Sequence, residues 1–166
     1  MAGLKPRTTA EMTFLQWLEA SALSTWLKES SSLLAYPAVL FLHTVGLVFT
    51  AGPSAVISLR LLGVGRRLPV APLDRYFPVI WIGFWTSAVS GFVMVAVDAT
   101  TKIANPLFSV KMIFVAASVV LMVLVRRLVT RADESSPDRT RGRWLAAASL
   151  VCWAGAISAG RFMAYF

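Results

Sequence analysis

Apolar residues fill four long stretches of this chain, and charged residues punctuate the gaps between them. Nothing charged lies between Glu29 and Arg60, and nothing charged lies between Arg75 and Asp98. The pair Asn105 and Pro106 signals a turn, after which an apolar run continues to Val125 with a single charged interruption, Lys111. A last run extends from Trp144 to Gly160. Each stretch is close to the roughly 20 residues an α-helix needs to cross a hydrocarbon core of about 30 Å. The pattern therefore predicts four spans, over about 33–59, 76–97, 106–125 and 144–160. Pro37 falls in the first turn of the first span, where a missing N–H is harmless, whereas Pro53 sits deeper and is expected to kink it.

Ahead of the spans the periodicity changes. Met12, Leu15, Leu18, Ala22 and Trp26 recur at helical spacing opposite Glu11, Gln16 and Glu19, with Thr8 or Thr9 as a cap and Glu11 in the first turn. This predicts a helix lying on the membrane surface, either as a plain interfacial anchor or as a platform for a partner protein. The expected fold is an all-α integral membrane four-helix bundle, with an N-terminal amphipathic segment over residues 1–30 and a transmembrane domain over 31–166. Small residues at every fourth position mark Gly83, Ser87 and Gly91 in the second span and Ala148, Cys152, Ala156 and Gly160 in the fourth. They predict close helix approach, within one chain or between copies in a homo-oligomer.

Composition removes the soluble alternatives. With 57% of 166 residues hydrophobic and 14% charged, a water-soluble domain is excluded and membrane lipid is the surrounding partner. The net charge of +8 would point to nucleic acid in a soluble protein, but its distribution argues otherwise. Ten of the sixteen basic residues sit in two connections: Arg60, Arg66, Arg67 and Arg75, then Arg126, Arg127, Arg131, Arg139, Arg141 and Arg143. The positive-inside rule accounts for them, so no nucleic-acid partner is expected and these connections face the cytoplasm. The N-terminus, the Asp98–Asn105 connection and the C-terminus are then extracytoplasmic, on the periplasmic side of a bacterial inner membrane. The first 28 residues lack the apolar core of a signal peptide, so the N-terminus is expected to be retained. The single cysteine, Cys152, rules out an intrachain disulfide and a thiolate zinc cluster.

Three ionisable groups remain inside the spans. His43 lies seventeen residues from Arg60, Lys111 fifteen from Arg126, and Arg161 eighteen from Arg143. At about 1.5 Å per residue all three fall roughly 22 to 27 Å above the arginine-rich boundary, in one layer. Such groups cost roughly 2.5 to 3.5 kcal/mol at membrane depth and normally face the bundle interior, a partner or water. Lys111 and Arg161 can also snorkel to the headgroups, and a lone imidazole can simply bond a neighbouring helix. Asp98, a little farther out, can pair with Lys111 or Arg161. An imidazole ringed by cations suits an anionic or electron-rich ligand. That ligand is haem b, with His43 on the iron and Lys111 or Arg161 at the propionates, or a quinone. Phe41, Phe49, Phe84, Trp85, Phe108, Phe114 and Trp153 are available as walls. No second histidine exists, so a sixth iron ligand would be Met94, Met112 or Lys111, or a haem would be five-coordinate or shared across a dimer. No nucleotide loop, Ser/His/Asp arrangement or carboxylate pair is visible.

The runs "SLLAYPAVLFLHTVGLVF", "LRLLG" at Leu59–Gly63 and "NPLFSVKM" at Asn105–Met112 resemble an uncharacterised bacterial family of four-span membrane proteins. In that pattern a surface helix precedes a first-span histidine, a small-residue second span and an Asn-Pro-x-Phe-x-x-Lys start to the third. More distantly, the first-span histidine and third-span lysine are similar to the superfamily of copper-resistance D proteins and membrane protoporphyrinogen oxidases, some of which bind haem b. That likeness implies that His43 and Lys111 are the functional pair. The resulting expectation is a membrane subunit or anchor relaying electrons between an extracytoplasmic partner and the quinone pool. The alternatives are a cofactor-free accessory or scaffold subunit and a small transporter component.

Overall fold

The computed structural model describes residues 9–29, 35–65, 67, 69–131 and 139–163. Among these there is no strand. The helices are α1 (Thr9–Glu19), α2 (Ala22–Glu29), α3 (Ala35–Leu62), α4 (Tyr76–Ala96), α5 (Ala99–Ala104), α6 (Pro106–Arg131) and α7 (Arg139–Phe162), with a 3-10 turn at Ala71–Arg75 leading into α4. Four helices, α3, α4, α6 and α7, are long and apolar enough to cross a membrane. The chain is an all-α, four-helix membrane protein.

Three packed edges set the arrangement. Helix α3 lies against α4 on one side and α7 on the other, and α7 packs against α6. The fourth edge, between α4 and α6, is closed at one end only. There Phe77 and Ile80 of α4, with Leu73, meet Ile57 and the α6 residues Met122, Val125 and Val129 in the main apolar core. Arg126 stacks over the Phe77 ring at 5.7 Å and faces Asp74 at 3.9 Å, so this core lies at the arginine-rich end of the bundle. Helices α1, α2 and α5 gather at the opposite end.

The ends of the helices follow from local chemistry. Gly63 adopts φ 106°, which only glycine tolerates readily, and lets Val64 N–H reach back to Leu59 O, closing α3. Asn105 Oδ1 accepts from Leu107 N–H at 2.9 Å, so the Asn-Pro pair is the cap and first residue of α6. Helix α3 runs through Pro53 without interruption, and Ser54 Oγ donates to Thr50 O in that turn. Helices α6 and α7 extend beyond the expected spans to Arg131 and from Arg139, because arginine favours helix and carries its charge outward on a long stem.

Two expectations need correction. The N-terminal segment is two helices, because Ser21 interrupts it: its Oγ lies 3.4 Å from Ser24 N–H as an acceptor at the start of α2. The connection expected as a plain loop between the second and third spans holds the short helix α5. Both changes serve one contact. Glu19 accepts from Thr100 N–H at 2.6 Å and from Thr100 Oγ1 at 2.7 Å, capping α5, while buried Ser24 donates to Ala96 O. Leu15 is buried on this side, and Phe14 and Trp17 stack on each other and remain exposed. Thr8 and the side chains of Thr9, Glu11 and Met12, on which a helix cap and part of the apolar stripe were expected, lie outside the described residues.

Candidate functional site

The α3–α4 seam places the histidine. A Cβ on Gly46 would sit 2.6 Å from Ser87 N, and one on Gly83 would sit 2.8 Å from Thr50 Oγ1 and 2.9 Å from Gly46 O. The backbones therefore touch, and the Gly83–Ser87–Gly91 stripe is spent inside the chain on α3. One turn along, the His43 ring covers Gly91, where a Cβ would come within 3.0 Å of Cε1. His43 Nδ1 lies 2.8 Å from Ser87 O, 3.2 Å from Ser90 Oγ and 3.3 Å from Ser87 Oγ. A carbonyl oxygen only accepts, so Nδ1 carries the proton. Ser90 directs its own hydroxyl to Thr86 O at 2.6 Å, which leaves its oxygen free to accept as well. Nε2 is thereby left as the nitrogen with the open position, bonded to nothing among the described residues.

The α6–α7 seam places the lysine. Phe114 lies over Gly155, and the Lys111 stem runs along Gly160, with Nζ 3.4 Å from the site of an added Cβ. Lys111 is half-buried and makes no hydrogen bond or ion pair with any described residue. It is near enough to His43 for the two to interact electrostatically, and Lys102 of α5 acts on Lys111 in the same way. Lys102 itself donates to Met94 O at 2.5 Å and lies 6.0 Å from the Tyr36 ring centroid. Burial pushes the Lys102 ammonium below the usual lysine range, and Asp98 opposes that shift. Asp98 thus acts on Lys102.

Of the three residues expected in one layer, the fold places His43 and Lys111 within electrostatic range of each other. Arg161 is exposed at the end of α7, one position past Gly160. Of the expected aromatic walls, Phe41, Phe49 and Trp85 point away from the bundle, Phe84, Phe108 and Phe114 are half-buried, and Trp153 is buried. Met112 is exposed and Met94 half-buried. The buried face of α7 is Gly142, Ala146, Ser149, Trp153, Ala156 and Ala159, which shares only Ala156 with the four-residue repeat in the sequence.

No family model, curated protein or solved structure matches this chain.

Buried hydroxyls are the feature that sequence reasoning missed. Thr50, Ser54, Ser58, Ser87, Ser90, Ser118 and Ser149 all lie inside the four-helix bundle. Thr50 and Ser54 satisfy themselves on the carbonyl four residues back, at 2.7 and 2.6 Å. Ser118 Oγ and Trp153 Nε1 are buried without a hydrogen-bond partner among the described residues. Ser118 follows Lys111 by seven residues and Trp153 precedes Gly160 by seven, so both lie about 10 Å deeper than the lysine. A serine repeat at helical spacing was the available signal. No group of three or more His, Cys, Asp or Glu able to hold a bare metal ion occurs among the described residues.

Proposed function

We propose that the protein is an electron-transfer subunit of a bacterial inner membrane that binds a redox group, haem b or quinone, between His43 and Lys111. The observation that carries this reading is the Nδ1–H bond from His43 to Ser87 O, 2.8 Å long. A histidine that ligates a metal or accepts a proton from a ligand characteristically donates its other nitrogen to a carbonyl, which fixes ring orientation and tautomer. The open Nε2 suits an axial ligand to haem iron or an acceptor for a quinol hydroxyl. Lys111 supports the same reading. A half-buried ammonium without an acceptor is costly, and a propionate, phenolate or carbonyl oxygen supplies what it lacks. Such a group, when bound, supplies the one- or two-electron chemistry that no side chain here can provide.

The likeness to the copper-resistance D and protoporphyrinogen oxidase superfamily belongs to this proposal, with His43 and Lys111 as the matching pair. So do the periplasmic placement of the α5 end and an electron-exchange partner docked there, as a separate protein or a second copy. Arg161, being exposed, we assign to the lipid headgroups. The test is the absorption spectrum of gently purified protein, oxidised and dithionite-reduced, with quinone assayed in the lipid extract. A Soret band or bound quinone that disappears in His43→Ala is the expected result. A featureless spectrum without quinone, or ligand content unchanged in His43→Ala, overturns the reading in favour of an accessory or scaffold subunit.

A further inference from the structure

The open α4–α6 edge bears on which ligand the site takes and how it arrives. Continued at helical spacing from Phe77 and Ile80, the stripe of α4 on this side runs through Phe84, Ala88 and Val95. On α6 the same spacing, continued from Val129, Val125 and Met122, runs through Val119, Val115 and Phe108. At the arginine-rich end both stripes are sealed, with Phe77, Ile80, Met122, Val125 and Val129 each at most 4% exposed. Beyond that core the same stripes are only half-buried on both helices, and Met112 beside Val115 is 46% exposed. The backbones of α4 and α6 scarcely approach each other, whereas α3 packs closely on α4 and on α7, and α7 on α6. Helix α5 bridges the two at the far end, so the gap is a window framed by α4, α5 and α6. Gly91, on the side of α4 that meets α3, is the residue the His43 ring covers, and on α6 Lys111 stands one residue from Met112.

We infer that this window is a lateral opening from the lipid phase, and that the ligand of the His43–Lys111 pair is a membrane-soluble quinone that enters head-first between α4 and α6. The inference rests on the redox-site reading and narrows it. The walls of the window are apolar, which suits an isoprenoid tail left trailing in lipid. The polar groups lie behind it. His43 Nε2 offers an acceptor and Lys111 Nζ a donor, the complement of a head that carries both hydroxyl and carbonyl oxygen. Ligand pockets are characteristically apolar with a few convergent polar groups, and this one meets lipid where its substrate is dissolved.

The test uses the full chain in lipid nanodiscs with decylubiquinone as the probe. Ala88→Trp and Val115→Trp fill the window while leaving His43 and Lys111 in the chain, and each is expected to lower quinone occupancy by roughly tenfold. Val151→Trp, on the exposed face of α7, is expected to leave occupancy unchanged. A photoreactive azido-quinone applied to the unaltered protein should label peptides of α4 and α6 and spare the exposed face of α7, so the inference stays testable if the tryptophan variants misfold. Wild-type occupancy in both window variants, with binding still lost in His43→Ala, overturns the lateral route and leaves the redox site standing. Haem bound through His43 with no quinone does the same. A window variant that changes the oligomeric state while quinone occupancy holds makes the edge a seam between copies and also overturns it. Neither haem nor quinone in the wild type removes both proposals together.

Discussion

At the scale of single residues, the α3–α4 seam is the most demanding feature. Lipid provides no hydrophobic drive for helix association, so contact between backbones must supply it through dispersion and polar contacts. Gly83→Ala places a methyl group 2.8 Å from Thr50 Oγ1 and 2.9 Å from Gly46 O, and two backbones must separate to admit it. We expect a loss of about 1–3 kcal/mol, read as a lower unfolding midpoint in detergent. Gly52→Ala, with open space around the new Cβ, should be neutral or gain up to about 1 kcal/mol from helix propensity. Equal effects at the two positions would show that the seam is not the source of the cost. The repeat Gly83, Ser87, Gly91 was legible in the sequence, but its partners Gly46 and Thr50 were not. A spacing identifies a helix face without identifying what faces it. The same limit applied to His43, whose depth follows from the 1.5 Å rise whereas its bond to Ser87 O depends on azimuth.

At the scale of elements, the cap formed by α1, α2 and α5 is held by few polar contacts, and these make it separable from the bundle. Glu19→Ala removes the acceptor for Thr100 N–H and Oγ1, and the expected loss is about 0.5–2 kcal/mol, confined to the cap. Limited proteolysis checks this: cleavage within α1 and α2 should accelerate while α3 to α7 stay protected, and unchanged cleavage would rule out the clasp. Lys102 adds a pH dependence of known sign. Its folded-state pKa lies below the ordinary lysine value, chiefly through burial, so its protonated form is the one the fold disfavours. That penalty is fully present at neutral pH, and it is relieved as pH rises from the lowered pKa toward the ordinary one. The cap should therefore become more resistant to proteolysis on going from neutral to alkaline pH, and Lys102→Met should abolish the trend. A cap that weakens with rising pH in wild type but not in Lys102→Met would contradict the assignment. The amphipathic pattern of the N-terminal segment was readable, but its division at Ser21 and its docking on α5 were not. Both hinge on the partners of Ser24 and Glu19, more than seventy residues away in the chain.

At the scale of the whole molecule, the bundle is a polarised object. Its arginine-rich end is closed by the main apolar core, and its α5 end carries His43, Lys111 and Lys102 behind an edge that the core does not seal. The four spans and the grouping of basic connections at one end were evident from charge placement alone, because the cost of burying charge in lipid fixes where spans must stop. The unequal closure of the α4–α6 edge was not evident, since both facing stripes are apolar throughout their length and only burial distinguishes their halves. This polarity gives the orientation a functional meaning that can be checked directly. In the orientation we propose from the positive-inside rule, the arginine-rich end faces the cytoplasm and the half-open end the extracytoplasmic leaflet. In a Cys152→Ser background, a cysteine replacing Thr101 of α5 should react with a membrane-impermeant maleimide in intact cells. One replacing Arg127 should react only after permeabilisation. The reverse pattern would place the His43–Lys111 pair in the cytoplasmic leaflet and move the partner we propose for it to the cytoplasm, whereas the expected pattern keeps that proposed partner on the periplasmic face beside α1 and α5.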